Sequence, residues 1–295
     1  MKILALGPKG TYGDEAAHRA ADRMSILEPK IEITGIELCE SHAEVFKRTV
    51  AERCLGVVPI ENSSKGFVEE TVRDFWLKQT HKPPVRVIGE VQLPVHHSLV
   101  MRSGILHNAK TPVMSHQQAL DQCRENLRKI GLSNLLPIKS TALAGKLIAE
   151  NDDYKHFAGL VSPFAAKVYD LQVVRPHMED LSGNATRFHI LGHESCLFYG
   201  NGRTAVLFWL KNEPGTLAMV VDAIRDENVN MSCLHSIPLG RPSTYAFYAE
   251  FDARSETECG ARIMKKISAA SADCFIWLGS FSQDERAPHL FRGPV

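Results

Sequence analysis

The sequence predicts an α/β protein with mostly parallel sheets, followed by a smaller unit of a second α/β type. Up to residue 192, apolar runs typical of buried strands alternate with segments of helical periodicity. Several of these strands end in small polar residues that lead directly into a helix. From residue 203 the order of the signals changes to strand, helix, strand, strand, helix, strand. These observations predict at least two structural units.

Composition excludes several classes of protein. The 295 residues suffice for about two domains and a sizeable core. Because 34 basic residues balance 34 acidic ones, we expect neither nucleic acid nor a membrane surface as a partner. The seven cysteines are scattered without CxxC spacing, which favours reduced thiols over a disulfide framework or a zinc site. With no signal peptide or membrane-span pattern, we expect a cytoplasmic protein.

The first part contains strands and helices in regular alternation. Strands are predicted in KILALG, IEITGIEL, CLGVVPIEN, VRVIGEVQLPVHHSLVMR (two runs), TPVMS, LLPIKS, FAGLVS and EDLSGNATRFHILG. Helices are predicted after GPKGTYG and in SHAEVFKRTVAER, GFVEETVRDFWLKQ, HQQALDQCRENLRKIG, TALAGKLIAEN and PFAAKVYDLQ. This rhythm favours parallel strands with helices on both faces. The carboxyl ends of such strands, next to helix N-termini, form the crevice where α/β sheets bind ligands, anions especially.

The second part follows GHESCLFYGNGRT, a linker with three glycines. Its segments are TAVLFWLK, PGTLAMVVDAIRDENV, NMSCLHSIP, TYAFYAEFD, ETECGARIMKKISAAS and CFIWLGSF. They predict a ferredoxin-like βαββαβ unit over residues 203–282. The polar tail, residues 283–295, is expected to fray.

Two polar loops follow strands near the N-terminus. GPKGTYG matches neither GxGxxG nor a P-loop ending, so it indicates a tight turn with Thr11 as a helix cap rather than a nucleotide site. In PIENSSKG, Glu61 or Asn62 can orient a polar group of a substrate. Alternatively, Ser63 or Ser64 simply caps the next helix, and the residues leave both interpretations open.

Two further junctions, SHQQAL and KSTALA, place hydroxyls at helix starts. Ser115 stands at an N-cap position, with His116 and Gln118 in the first turn, where free backbone N–H groups and the helix dipole favour an anion. A capping box between Ser115 and Gln118 explains the pattern equally well. Ser140 and Thr141 repeat the arrangement at the next helix.

Neither a nucleophilic triad nor a metal-ligand cluster is legible in the sequence. The adjacent His96 and His97 point to opposite faces of a strand and are interpreted as structural. Any chemistry is therefore expected to rely on hydrogen bonding and electrostatics. Arg187, at the entrance of a buried strand, suits bidentate capture of a carboxylate, unless it pairs with Glu179 or Asp180.

The order of these motifs identifies a family resemblance. GPKGTYGDEAA, GVVPIENSSKG, HHSL, SHQQALDQC, STALA, VSPFAAKVYDL and EDLSGNATRF resemble the successive motifs of prephenate dehydratases, and the last 80 or so residues resemble the ACT regulatory domain of that family. The resemblance implies a periplasmic-binding-protein-like catalytic region, residues 1–192, with a cleft between two lobes. One lobe would contain residues 1–80 and 170–192, and the other residues 81–169.

The implied reaction converts prephenate to phenylpyruvate, water and carbon dioxide in phenylalanine synthesis. Aromatisation supplies the driving force, so no cofactor and no metal are expected. The resemblance places Thr186, Arg187 and Phe188 at the catalytic centre, Thr186 donating a hydrogen bond to the departing oxygen and Arg187 holding a carboxylate. The implied substrate-binding residues are Thr11, Glu61, Asn62, Ser63, Ser115, His116, Gln118, Ser140, Thr141 and Asn184.

The second part departs from the family where an effector would bind. Pro214, Gly215 and Leu217 keep the turn that shapes an effector pocket. The family's Glu-Ser-Arg-Pro segment is here His-Ser-Ile-Pro, so that His235 and Ser236 occupy positions that contact phenylalanine in the family. The effector is therefore expected to be phenylalanine or another amino acid. Because ACT domains pair edge to edge, a homodimer or homotetramer is expected.

Other functions fit parts of the sequence. One is arogenate dehydratase, whose substrate carries an ammonium where prephenate has a ketone. Another is a non-catalytic two-lobed sensor of small molecules with an ACT domain, and a third is a decarboxylase that leaves the ring non-aromatic. Thr186 beside Arg187 argues against the sensor and the decarboxylase.

Overall fold

The computed structural model describes residues 1–75, 84–193, 202–241, 243–271 and 274–284. The strands are β1 (Lys2–Leu6), β2 (Gly35–Cys39), β3 (Leu55–Asn62), β4 (Gly66–Phe67), β5 (Arg86–Pro94), β6 (Ser98–Met101), β7 (Val113–His116), β8 (Leu135–Ile138), β9 (Ala158–Val161), β10 (Gln172–Arg175), β11 (Ala185–Gly192), β12 (Arg203–Trp209), β13 (Met231–Pro238), β14 (Tyr245–Phe251) and β15 (Phe275–Phe281). The helices are α1 (Tyr12–Leu27), α2 (His42–Glu52), α3 (Glu69–Phe75), α4 (Gln117–Gln122), α5 (Arg124–Lys129), α6 (Thr141–Glu150), α7 (Pro163–Val168), α8 (Thr216–Arg225) and α9 (Glu258–Ala270).

Parts of three predicted segments lie outside the described residues: the glycine-rich linker, the C-terminal tail and the last residues of the helix that begins as α3. Within the described ranges, no helix is long and apolar enough to span a lipid bilayer.

The first sheet forms the wall that carries the site. Its strand order is β2–β1–β3–β11–β5, with β4 paired to β3 beyond the main path. β1 runs parallel to β2 and β3, and helices α1 and α2 connect these three strands in chain order. β11 runs antiparallel to both of its neighbours, β3 and β5. β11 is therefore held by backbone hydrogen bonds along both edges.

The second sheet has the strand order β10–β6–β9–β7–β8. β7 runs parallel to β8 and β9, whereas β6 runs antiparallel to β9 and β10. Both sheets are thus mixed, although the sequence predicts mostly parallel ones. Apart from the β3–β4 pair, every antiparallel pair of these two sheets includes β5, β6, β10 or β11, the strands on either side of the two chain crossings between the lobes.

The lobes divide at different residues from those predicted. β5 pairs with β11 in the first sheet, whereas the predicted division assigns it, within residues 81–169, to the second lobe. β10 pairs with β6 in the second sheet, whereas the prediction assigns residues 170–192 to the first lobe. The local sequence of a strand does not show which sheet it joins, because pairing with residues far away in the chain decides its place.

The third sheet confirms the predicted βαββαβ order of the C-terminal unit. Its strands are arranged β13–β14–β12–β15 and all pairs are antiparallel. Helices α8 and α9 pack on one face, against a cluster that includes Val206, Phe208, Phe251 and Ile263. This leaves the other face of the sheet to pack elsewhere.

That other face is part of one hydrophobic core shared with the first lobe. Leu207, Tyr248 and Ile276 belong to the same buried cluster as Val58 and Leu191 of the first sheet. At Gly279, where φ is +146°, a Cβ atom would lie 2.1 Å from the backbone oxygen of Val87. The C-terminal unit therefore packs directly on the sheet that contains β11, with β15 beside β5.

Candidate active site

A cavity of about 400 Å³ with polar and apolar lining residues lies between the two lobes, within the range of about 300–1,000 Å³ typical of small-molecule sites. Of the predicted catalytic and substrate-binding residues, it brings together Thr11, Asn62, His116, Gln118, Ser140, Thr141, Asn184, Thr186 and Phe188. Four others, Glu61, Ser63, Ser115 and Arg187, are not part of its lining.

Thr186 stands on the cavity wall opposite Asn62 of the neighbouring strand. The two residues are register partners of β11 and β3, so their side chains project from the same face of the sheet. Asn62 Nδ2 donates a hydrogen bond to Thr186 Oγ1 at 2.9 Å and another to Asn184 Oδ1 at 3.0 Å. The hydroxyl is thus fixed in place by a donor.

The orientation of the Asn62 amide follows from its other contacts. Its Oδ1 accepts hydrogen bonds from the backbone N–H groups of Ser64, at 3.0 Å, and Lys65, at 2.9 Å, which identifies that atom as the oxygen. Nδ2 must therefore point at Thr186. Because a hydroxyl has one proton and two lone pairs, an accepted bond from Asn62 leaves the Thr186 proton free for a group in the cavity.

The starts of four helices, α1, α2, α4 and α6, also border the cavity. Thr11 caps α1 and accepts a hydrogen bond from the Asp14 N–H at 3.3 Å, and Ser140 caps α6 and accepts from the Leu143 N–H at 3.1 Å. His42, the first residue of α2, lies on the same cavity. Helix N-termini carry partial positive charge, so this edge of the cavity favours anionic groups.

Among the described residues that line the cavity there is one lysine, Lys65, which the sequence did not single out. It follows the polar turn after β3 and lies in the cavity lining, together with His97 and Gln122. His97 Nε2 is 3.0 Å from Gln122 Oε1, and burial lowers the pKa of His97. Among the residues that the structure describes, no Asp or Glu lines this cavity. The cavity therefore suits an anionic ligand.

Arg187 points away from the cavity, which contradicts its predicted role there. It is 5% exposed and lies on the opposite face of β11 from Thr186. Its Nη1 donates to Glu250 of β14 at 2.7 and 3.0 Å, and to Glu90 of β5 at 3.3 Å. Its Nε and Nη2 lie 3.2 and 3.1 Å from Glu61 Oε2. Glu61 is therefore an ion-pair partner of Arg187 and not a cavity residue.

Glu250 ties this ion cluster to the C-terminal unit. Its side chain is fully buried and also accepts hydrogen bonds from Tyr248 and, at 3.2 Å, from Arg203. Burial alone would raise the pKa of Glu250, but the nearby Arg187, His189 and Arg203 outweigh burial and hold that pKa well below its usual range. The carboxylate is therefore ionised at neutral pH, and it connects the third sheet to the residue next to Thr186.

His189 provides a test of this buried face. Burial lowers the pKa of the His189 ring below its usual value of about 6.5, although the nearby Glu250 opposes this shift. In the folded protein the ring therefore stays neutral to a lower pH than in the unfolded chain. Glu90 and Arg187 face it as well. The unfolded chain binds that proton and the folded chain does not, so the free energy of unfolding should fall as the pH decreases through about 6.5.

The measurement is urea unfolding at several pH values. His189→Gln should make the fall with decreasing pH shallower, because it removes one proton that only the unfolded chain takes up. The exposed His156 provides the control, and His156→Gln should leave the pH dependence as in the parent protein. An equal slope in His189→Gln and the parent would contradict the assignment.

Two predicted binding serines have structural roles. Ser115 is fully buried and donates to the backbone oxygen of Leu160 at 2.6 Å, which joins β7 to β9. Ser63 Oγ accepts from the Ala185 N–H at 2.9 Å and lies 3.3 Å from Asn184 Oδ1. Ser63 therefore stabilises the loop that carries Asn184. It contacts this cavity residue but does not line the cavity itself.

The predicted effector residues are separated in the structure. Gly215 and Leu217 line a cavity of about 500 Å³ in the C-terminal unit, whereas Pro214 is exposed and outside its lining. His235 instead packs on Phe67 of the first lobe, with ring centroids 4.4 Å apart. Ser236 is exposed on β13 and also outside that cavity. The Pro-Gly-x-Leu turn and the β13 segment thus do not meet within one chain.

Comparison with known proteins extends these observations. Residues 3–196 match the sequence profile of the family described as prephenate dehydratase. A prephenate dehydratase from Methanocaldococcus jannaschii is 34% identical over 256 residues, which cover 84% of this chain and 87% of that protein. Arogenate dehydratase 2 from Petunia hybrida is 30% identical over 271 residues, which cover 86% of this chain and 64% of that protein.

Two solved structures share the fold. The protein GqqA, described as a novel type of quorum quenching acylase, superposes with a TM-score of 0.81 at 24% identity, over 100% of both chains. Prephenate dehydratase from Arthrobacter aurescens, in complex with L-Phe, superposes with a TM-score of 0.79 at 24% identity, over 96% of this chain and 90% of that one. At this identity the likeness shows the fold alone.

The fold and the cavity define a protein of two α/β lobes with an attached βαββαβ unit and a cavity of small-molecule size between the lobes. With the matching profile and the relative at 34% identity, the chain belongs to the prephenate dehydratase family. Enzymes of this family are lyases that act in aromatic amino acid biosynthesis.

Proposed function

We propose that the chain converts prephenate to phenylpyruvate, water and carbon dioxide, with Thr186 as the group that assists departure of the ring hydroxyl. The observation that supports this most directly is the Asn62–Thr186 hydrogen bond, because it leaves the Thr186 proton for the departing oxygen. A threonine hydroxyl is too weak an acid to ionise near neutrality, so it acts as a hydrogen-bond donor to the charge that develops on that oxygen.

The rest of the cavity holds the dianionic substrate. Lys65 and the helix starts at Thr11 and Ser140 provide positive potential for the pyruvyl carboxylate. The ring carboxylate must release its electrons into the ring as carbon dioxide departs, so a tight ion pair would slow the reaction. Arg187 makes no such pair, because its guanidinium is held by three glutamates on the far face of β11.

The lining also bears on the choice of substrate. Arogenate carries an ammonium where prephenate carries a ketone, and an enzyme that prefers arogenate gains from a carboxylate near that ammonium. The described part of the cavity presents lysine, histidine, amide and hydroxyl groups and no carboxylate. We infer a preference for prephenate, with arogenate dehydratase as the alternative that the Petunia hybrida relative supports.

An assay with both substrates tests this proposal. The purified chain should form phenylpyruvate from prephenate and should turn over arogenate with a much lower kcat/KM. Turnover of arogenate alone would replace the proposal with arogenate dehydratase. Binding of either compound without turnover would indicate a non-catalytic sensor, and a non-aromatic product would indicate a decarboxylase.

Asn62→Asp tests the direction of the Thr186 proton. An aspartate accepts a hydrogen bond from Thr186 and so withdraws the proton from the departing oxygen, which should lower kcat by about 10-fold or more. Asn184→Asp is the matched control, because it introduces the same charge into the same cavity wall without a direct bond to Thr186. Equal kcat losses in the two variants would contradict the role of Asn62.

Lys65→Met should raise KM for prephenate by about 10-fold, equivalent to about 1.4 kcal/mol, with little change in kcat. The difference from the parent enzyme should shrink in high salt, because Lys65 is exposed and its field is screened. Lys110→Met, at an exposed loop residue outside the cavity lining, should leave KM unchanged. A fall in kcat alone would refute a binding role for Lys65.

We also propose that the C-terminal unit binds an amino acid and pairs with a second copy of the chain. Support comes from the cavity beside Gly215, and the Arthrobacter aurescens relative is described in complex with L-Phe. Exposed Met219, Leu234 and Tyr245 give this unit an apolar surface suited to pairing. Light scattering should show a dimer or tetramer, and calorimetry should detect phenylalanine or another amino acid. A monomer that binds no amino acid would overturn this part.

A further inference from the structure

Three side chains with metal-binding groups meet where the chain crosses between the lobes. His96 lies in the first crossing, between β5 and β6, and His177 and Glu179 lie in the second, between β10 and β11. One possible ligand atom from each of the three lies within 4.8 Å of the others. None of them lines the cavity between the lobes.

One carboxylate oxygen of Glu179 lies within reach of both histidine rings. Glu179 Oε1 lies 2.7 Å from His96 Nδ1 and 3.4 Å from His177 Nδ1. Ligands that bind zinc tetrahedrally with bonds of about 2.0–2.1 Å are separated by about 3.3 Å. A small outward movement of the His96 ring would therefore make room for the ion.

The surroundings hold the carboxylate and leave an entry path. Glu179 Oε2 accepts the backbone N–H of His97 at 3.0 Å, which fixes the carboxylate with Oε1 towards the two rings. The Glu179 side chain is 9% exposed, whereas those of His96 and His177 are 34% and 67% exposed. The cluster thus has a buried anchor and a side open to solvent.

We propose that His96, His177 and Glu179 form a binding site for a divalent transition metal of the zinc type, which fastens the two interlobe crossings to each other. Two imidazoles and one carboxylate satisfy three of the four positions that zinc prefers, and water can fill the fourth. Because the site lies outside the cavity, the expected effect of the metal is on stability. It is independent of the proposed reaction.

The test is equilibrium dialysis of the full chain against Zn²⁺, with Co²⁺ as a spectroscopic probe. The parent protein should bind an equivalent of metal, and His177→Asn or His96→Ala should weaken binding by about 10-fold or more. Asn tolerates the left-handed backbone at His177, where φ is +52°, so this variant should remain folded. His156→Asn, at an exposed histidine outside the cluster, should bind as the parent does.

Three results would overturn the proposal. They are absence of binding by the parent protein, equal binding by the parent and by His177→Asn, and a Co²⁺ spectrum dominated by thiolate charge transfer, which would place the metal on cysteines. Thermal unfolding supplies a second measurement: Zn²⁺ should raise the midpoint of the parent protein and not that of His177→Asn. Because these readouts measure binding and stability, they do not depend on whether the chain turns over prephenate.

Discussion

Thr186→Ala is expected to lower kcat for prephenate by about 10²–10³-fold while KM changes little. The hydroxyl would donate its hydrogen bond to charge that exists only in the transition state, and the loss of one such donor has this cost in comparable sites. Steady-state kinetics on the purified variant measures both constants. We expect the effect on kcat and not on KM because Asn62 donates a hydrogen bond to the Thr186 oxygen. The hydroxyl proton is thereby left for the departing oxygen in the transition state.

Thr186→Ser is the matched control, since it keeps a hydroxyl within reach of the Asn62 amide and should retain most of the activity. Asn62 has further partners in Asn184, Ser64 and Lys65, so its amide should stay in place in either variant. Equal increases in KM and losses in kcat for Thr186→Ala would indicate that Thr186 binds substrate and transition state equally well, contrary to the proposed role.

The second large effect is expected on stability. Glu250→Ala should lower the free energy of unfolding by about 3–5 kcal/mol, because it leaves buried Arg187 without its shortest ion pair. Urea unfolding followed by fluorescence measures the change. Asp252→Ala is the comparison, because it removes a carboxylate two residues further along the chain. The Asp252 side chain is partly exposed and pairs with Arg203 nearer the surface, so its loss should lower the free energy of unfolding by about 1 kcal/mol or less.

Glu250→Gln separates charge from packing, since it keeps the volume of the side chain. It should fall between the parent protein and Glu250→Ala in stability, with Glu61 and Glu90 still paired to Arg187. A Glu250→Ala protein as stable as Asp252→Ala would mean that Glu61 and Glu90 suffice for Arg187. The connection between the C-terminal unit and β11 would then rest on apolar packing alone.

The sequence predicts the order of strands and helices well, because hydrophobic periodicity and caps are local signals. Thr11, Ser140 and the βαββαβ order all follow from such signals. The assignment of strands to lobes does not follow from such signals, because the pairing partners of β5 and β10 lie far away in the chain. Long-range pairing, and not local preference, decides those positions.

The direction of the Arg187 side chain follows from a local signal in the sequence. Side chains alternate along a strand, so Thr186 and Phe188 share one face and Arg187 must occupy the other. The same alternation separates Asn62 from Glu61 on β3. The pairing of Arg187 with Glu250 had no such signal, because the two residues come from different units of the chain. Lys65, in a turn, likewise had no periodicity to give its direction.

The core shared by the third sheet and the first lobe also has a consequence for modularity. Removing the C-terminal unit would expose Val58, Val87 and Leu191 to water and would remove Glu250, the shortest ion pair of Arg187. A truncated chain that ends near residue 192 should therefore aggregate instead of giving a smaller, unregulated enzyme. In chimaeras between relatives, the segment from β1 to β15 should therefore be exchanged as a whole. Exchange of the C-terminal unit alone would also require changes to the residues that pack against β5 and β11.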